Sequence, residues 1–329
     1  MKFRTEVDIP IYPFRIGFDT PSVFMGSCFT ENIGAVMREN KMPVLVNPFG
    51  VVYNPLSICN SLVSILEDKR YGEDDIHFSK GLWYNFDFHT RLSNPNKAEC
   101  LNNMNSAIGN AHSFLNKLQN LVVTFGTARV YRLKQTNRVV ANCHKIPAKE
   151  FEHQIMTVDE IVDTWSMLIE RLIKKNINLK IIFTVSPIRH WKDGAEGNQL
   201  SKSTLIVAVH KLIGKFPNNA FYFPSYEIMM DDLRDYRFYD DDMLHPSPMA
   251  IEYIWSKFES AFLDKTAVDL LAKIHKIKQA VGHRPFNPNT SEHQKFLNQT
   301  VASIKEIVQE HPFVCFDEEL SNLSSYIQS

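Results

Sequence analysis

Three residues are of the types that acyl transfer to a nucleophile needs, and they sit at two places in the chain. Ser27 lies in Gly26-Ser27-Cys28-Phe29, and Asp242 and His245 bound the stretch Asp242-Met243-Leu244-His245. A serine between the end of a strand and the start of a helix has an exposed hydroxyl and an N–H beside the positive end of the helix dipole. Taken alone, Ser27 is better explained as a helix cap. An Asp and a His three apart in a tight turn can face each other. The carboxylate then accepts from one ring nitrogen, and the other is free to take a proton from a nucleophile. Taken alone, this pair reads at least as well as a surface acid beside a histidine that precedes a helix. Together the two pieces read as a Ser-His-Asp arrangement, because both fall at strand-to-helix loops, where parallel sheets place their sites.

Several other residues compete for roles. His144 and His190 each lie in a loop near a strand end, although a lone histidine is more often structural. Arg189 either binds an anionic substrate group or pairs with Asp193. Cys28 invites a thiol-nucleophile reading, but a cysteine at a helix start is more often a packing residue. Asp240, Asp241, Asp242 and His245 form an acidic cluster, yet consecutive acids lack the convergent geometry a metal requires, so no metal is expected. Trp83, Tyr84, Phe86 and Phe88 cluster near His89, where core or lid packing is a plainer account than a sugar or acyl site.

The elements that would position these residues alternate between short apolar strands and helical patterns, which indicates βα units and a parallel sheet. Strands are expected at 22–25, 44–46, 121–125, 179–185 and 221–223. Helices are expected from Glu31 to Glu39, after the Asn54-Pro55 cap with Leu56, Cys59, Val63 and Leu66 buried, and between Lys97 and Leu118. The Thr157-x-x-Glu160 capping box opens another, carried by Ile161, Trp165, Leu168, Ile169, Leu172 and Ile173. A polar loop from Arg189 to Lys202 should lead to a helix ending near Gly214, and Ser247-Pro248 should start one that buries Ile251, Ile254, Trp255, Phe258 and Phe262. From Lys265 no strand signal remains, and two helical stretches flank the turn-rich 282–288. About 65 residues make a thin core alone, so residues 265–329 read as a helical appendage packed on a domain of residues 1–264.

Composition sets the outer limits. The chain has 329 residues, 44% hydrophobic and 22% charged, enough to bury a sizeable core. Lys plus Arg is 36 against 37 Asp plus Glu, a net charge of -1, so no global field draws in nucleic acid or anionic membrane. The N-terminus lacks the apolar stretch of a signal peptide, and no run approaches the ~18 apolar residues of a span. A cytoplasmic protein is expected. The five cysteines are scattered without a Cys-x-x-Cys pair and read as reduced thiols.

The string Gly26-Ser27-Cys28-Phe29-Thr30 resembles the namesake motif of the GSCFA family, a branch of the SGNH (GDSL-like) hydrolases whose last block is Asp-x-x-His. The resemblance continues through Asn47-Pro48-Phe49-Gly50, Thr124 to Ala128, Asn142 to Lys145, Ser186 to Gly194, Asp242 to His245 and His283 to Pro288. It implies a flavodoxin-like three-layer α/β/α sandwich with a mostly parallel sheet, Ser27 as nucleophile, and Asp242 with His245 as its activating pair. In the superfamily a Gly and an Asn complete the oxyanion hole with the serine N–H. Gly50 is the candidate for the first; the Gly-x-Asn pattern reads Gly126-Thr127-Ala128 here, and Thr127, Asn142 and Asn54 are open candidates to substitute for the missing Asn.

The expected activity is therefore hydrolysis of a carboxylic ester, such as deacylation of a sugar or other small hydroxyl compound. Ser27 attacks, His245 relays the proton, Asp242 fixes the imidazole, and no cofactor is needed. The oligomeric state stays open. The alternatives are an acyltransferase using the same acyl-enzyme, and a non-catalytic binding module that keeps the fold. The missing Asn motivates the second of these.

Overall fold

The structure is a computed structural model that describes residues 5–283, 286 and 290–324. Arg284, Pro285, Asn287 and Pro288 of the turn-rich segment lie outside the described residues.

Five strands form one parallel sheet: β1 (Ser22–Gly26), β2 (Val44–Val46), β5 (Asn120–Phe125), β9 (Lys180–Val185) and β10 (Ala220–Tyr222), in the order β10-β9-β5-β1-β2. By order of appearance this is 2-1-3-4-5, the flavodoxin-like winding, whose direction reverses between β1 and β5. The period-two alternation of strands sends their side chains to two cores. Val23 and Met25 of β1, Leu121, Val123 and Phe125 of β5, and Ile181, Phe183 and Val185 of β9 face one core. Phe24, Val122 and Ile182 face the other.

The first core is covered by α2 (Pro55–Leu66), α3 (Lys97–Leu115), α4 (Val158–Lys175) and α5 (Gly194–Lys215). Trp165 of α4 is fully buried there and donates its indole N–H to the Pro55 carbonyl at 3.0 Å. The second core lies under α1 (Cys28–Glu39) and α7 (Pro248–Phe262), with a short turn, α6 (Ser225–Glu227), following β10. The result is a three-layer α/β/α sandwich. The capping box at Thr157 and the Asn54 and Ser247 caps are present as expected.

Several boundaries differ from expectation. The buried face of α2 is Ile58, Cys59, Leu62 and Ile65, with Leu56, Val63 and Leu66 only partly covered, because α3 and α4 flank the helix on both sides. The polar stretch expected to be a loop up to Lys202 is helical from Gly194. The apolar stripe of α5 at Leu205, Ala208, Val209 and Leu212 continues backwards at the same spacing through Asn198, Ser201 and Lys202, all buried. Sequence reading also missed two antiparallel additions. One is the hairpin β3 (His77–Ser79) and β4 (Leu82–Tyr84). The other is a three-stranded sheet of β6 (Arg129–Leu133), β7 (Arg138–Val140) and β8 (Phe151–Ile155), ordered β7-β6-β8.

Among the described residues three helices, rather than the two expected, follow: α8 (Lys265–Gly282), α9 (Ser291–Glu310) and the short α10 (Asp317–Ser324). They share a small core that includes Leu270, Ile274, Leu297, Ile304 and Phe316. From α8, Ala267 and Leu271 also enter the second main core. Among the described residues no helix is long and apolar enough to cross a membrane.

Candidate active site

The turn between β1 and α1 sits at the reversal of strand order, where the carboxyl ends of β1 and β5 diverge and leave a crevice. Only glycine fits before it. Gly26 has φ 142°, and a Cβ there would lie 2.2 Å from the Thr124 carbonyl of the neighbouring strand. Its N–H donates to Asn47 Oδ1 at 2.8 Å. Ser27 is the N-cap residue of α1, yet its side chain makes no capping bond. Its Oγ is buried without a partner among the described residues. Its N–H donates to the Thr124 carbonyl at a long 3.4 Å.

The second piece is the turn before α7. Asp242 Oδ2 and His245 Nδ1 are 2.5 Å apart, and Asp242 Oδ1 accepts the backbone N–H groups of Leu244 and His245, each at 2.9 Å. Those backbone donors, with the imidazole, hold the Asp242 carboxyl down at about 2. The carboxylate is thus ionised at any ordinary pH and orients the ring, so that Nε2 is the free nitrogen. Both side chains are about half exposed.

What Nε2 faces is Cys28. The Cys28 Sγ to His245 Nε2 distance is 3.8 Å, whereas Ser27 Oγ makes no hydrogen bond to the ring. The structure thus brings the Asp-His pair to the β1–α1 turn but aims it at the second residue of Ser27-Cys28. Burial raises the Cys28 thiol, while its own N–H and that of Phe29, at the open first turn of α1, favour the thiolate.

Ser27, Cys28 and His245 open on one cavity of about 440 Å³. Its walls include Asn54, Thr127, Asn142, Arg189 and His190, and the three-stranded antiparallel sheet forms its far side through Arg129, Tyr131 and His153. Asn54 Oδ1 caps α2 through Ser57 N–H at 2.8 Å, so its Nδ2, which has no partner among the described residues, is a donor available to the cavity. Asn142 is similar, with Oδ1 accepting from His144 N–H at 2.8 Å.

Other expected donors are committed elsewhere. Gly50 does not line the cavity, and its N–H donates to the Asn47 carbonyl at 2.8 Å, which corrects its assignment to the oxyanion hole. Gly50 has φ 79°, and a Cβ would meet His89 Cβ at 2.2 Å, so close approach explains this glycine. The N–H groups of Gly126 and Thr127 both donate to the Tyr53 carbonyl, at 2.7 and 3.1 Å, and the Thr127 hydroxyl pairs with Ser201 Oγ at 3.0 Å.

The histidines separate. His144 lies away from the cavity with Nε2 2.9 Å from the Asn85 carbonyl and its ring against Tyr84, and burial pushes it down to about 4. It is a structural residue. His190 lines the cavity, packs edge-on against Tyr53 and is also pushed down to about 4, first by burial and then by Lys202 and His245. Tyr84 and Phe86 belong to a small core with Val140 and Phe151, and Phe88 stacks on Phe49 at 4.3 Å, so that aromatic group is packing.

Sequence reading missed the residue beneath the site. Lys202 is fully buried and donates to the carbonyls of Gly126 and Ser186, both at 2.7 Å, which ties together the loops leaving β5 and β9. Burial pushes it down to about 7. The backward extension of the α5 stripe was the signal that could have found it.

The model of the GSCFA family matches residues 21–258, and that of the GSCFA domain protein, C-terminal domain, matches residues 274–329. No curated protein and no solved structure matches the chain. The chain belongs to the GSCFA family.

Proposed function

We propose that this member of the GSCFA family is a carboxylic-ester hydrolase in which the Asp242–His245 pair activates Cys28, one residue after the serine that the SGNH resemblance implies as nucleophile. The observation that carries this reading is the 3.8 Å approach of His245 Nε2 to Cys28 Sγ, with the ring's other nitrogen held by Asp242. The thiol is raised by burial and is therefore protonated at rest, so a base must remove its proton. His245 takes that proton as Sγ attacks the acyl carbonyl, and Asp242 stabilises the imidazolium formed. The N–H groups of Cys28 and Phe29 and the Asn54 side-chain amide are the donors near the nucleophile for the developing oxyanion. His245 then protonates the departing alkoxide, leaving a thioester. It next removes a proton from water as the water attacks that thioester, and returns it to the Cys28 sulfur as the acid leaves.

A second reading keeps Ser27 as nucleophile in the same cavity. It is favoured by the buried, partnerless Oγ, which lacks even the capping bond its position offers. A panel of small acyl esters tested on wild-type, Cys28→Ala and Ser27→Ala protein separates the two. On the Cys28 reading, Cys28→Ala abolishes turnover, Ser27→Ala retains it, and an acyl adduct maps to Cys28 by mass spectrometry. Loss confined to Ser27→Ala overturns it in favour of the serine. No turnover of any ester in wild-type protein leaves a binding module, and product formed only with an added alcohol acceptor indicates an acyltransferase.

A further inference from the structure

Arg189 leaves the carboxyl end of β9 after Pro187-Ile188 and stands in the wall between the 440 Å³ cavity and a neighbouring one of about 480 Å³ on the other side of the Asp242–His245 turn. Among the described residues its one hydrogen-bond contact is with Met230 Sδ at 3.6 Å, a weak acceptor, and it makes no ion pair there. The expected alternative, pairing with Asp193, is not what forms. Asp193 is taken by Arg129 at 3.4 Å and faces His153 at 3.8 Å. Asp242, the other carboxylate at the margin, is taken by His245 and two backbone N–H groups.

The cavity is thus short of negative charge. Among the described residues, Arg129, Arg189 and Lys192 line it against Asp193 alone, and Lys192 has the Tyr131 hydroxyl, at 2.8 Å, as its one hydrogen-bond partner. Below it, buried Lys202 has, among the described residues, two carbonyls and no carboxylate as partners. Cations in a partly desolvated crevice are poorly screened, so an entering anion gains more there than at an open surface. A guanidinium fork also matches the two oxygens of a carboxylate or phosphate. We propose, on the acyl-ester reading of this same cavity, that the substrate carries such an anionic group and that Arg189 binds it.

The test compares 4-nitrophenyl hemisuccinate with neutral 4-nitrophenyl butyrate on wild-type, Arg189→Met and Arg189→Lys proteins. Calorimetric titration of the same proteins with succinate and with inorganic phosphate accompanies it. Losing one charge-assisted pair should cut the ratio of kcat/KM for the anionic over the neutral ester by ~10 to 100-fold in Arg189→Met. Arg189→Lys, which keeps the charge and loses the fork, should fall between. Binding of succinate or of phosphate should weaken in parallel, and the anion that binds identifies the group. An unchanged ratio in a normally folded Arg189→Met, or anion binding indifferent to Arg189, overturns the proposal while ester hydrolysis stands. Arg189-dependent anion binding without turnover of either ester supports it and overturns the hydrolase reading instead.

Discussion

Replacing Lys202 with Met should change how stability depends on pH, because this ammonium is buried with no carboxylate to offset its charge. The ordinary lysine value of 10.5 is pushed down by burial to about 7, with Cys28 opposing the shift and Arg189 adding to it. The unfolded chain keeps that proton up to about 10.5. Between about pH 7 and 10.5 the unfolded state therefore binds more protons than the folded one, and stability rises with pH. The gap between the two values, at ~1.36 kcal/mol per pH unit, corresponds to roughly 5 kcal/mol, of which ~4 should be regained between pH 7 and 10. Cysteines and tyrosines titrate in the same window, so the readout is the difference between wild-type and Lys202→Met. In the variant the Gly126 and Ser186 carbonyls lose their donor, a cost of ~1–3 kcal/mol each that does not vary with pH. Urea unfolding at pH 7, 8, 9 and 10 should show wild-type gaining on the variant by most of that ~4 kcal/mol. Parallel curves would refute the reasoning: the two carbonyls would then hold the amine protonated throughout, despite its burial.

Two other outcomes follow from the site and the tail. His245→Ala should reduce ester turnover ~10² to 10⁴-fold, and Asp242→Asn should be similarly harmful, with the double mutant no worse than the single ones because the pair acts as a unit. Since Asp242 is held at about 2, its carboxylate stays ionised through the ordinary pH range, and additive losses in the double mutant or a turnover transition at the ordinary carboxylate value would sink the pairing. Removing residues from Lys265 onward strips Ala267 and Leu271 from the second main core and should lower Tm and solubility without deleting a proposed catalytic group. A truncated protein with an unchanged melt but selective loss of turnover would show instead that the tail serves the site.

The sheet was legible because its signals are local. Leu121 to Phe125 is an apolar run long enough only for a buried strand, Thr157-x-x-Glu160 caps itself, and Ser247-Pro248 carries both cap and first-turn proline. The Asp242–His245 pair was legible for the same reason, since the turn that joins them is four residues long. The antiparallel sheet was not, because Arg129 to Ile155 mixes half-exposed strands with charges and lacks an apolar run. The start of α5 was hidden because three polar residues occupy its buried face.

The choice between Ser27 and Cys28 shows where local reading stops. Ser27 is the extended cap residue and Cys28 the first helical one, so their side chains leave the backbone in different directions. Motif position alone places both near the crevice but does not say which of them the base on a distant loop will meet. That depends on the approach of the turn before α7, more than 200 residues away, which puts His245 Nε2 beside sulfur and leaves the serine hydroxyl without a partner. The expectation that Cys28 was packing rested on helix-start cysteines in general, and the contact that argues otherwise is tertiary. The same holds for Lys202: an amphipathic stripe predicts that its position faces inward, but only the packed sheet supplies the two carbonyls that receive its ammonium at the floor of the crevice. Sequence thus located the loops that meet, while the pairing across them came from the strand order that brings the ends of β1, β5 and β9 together.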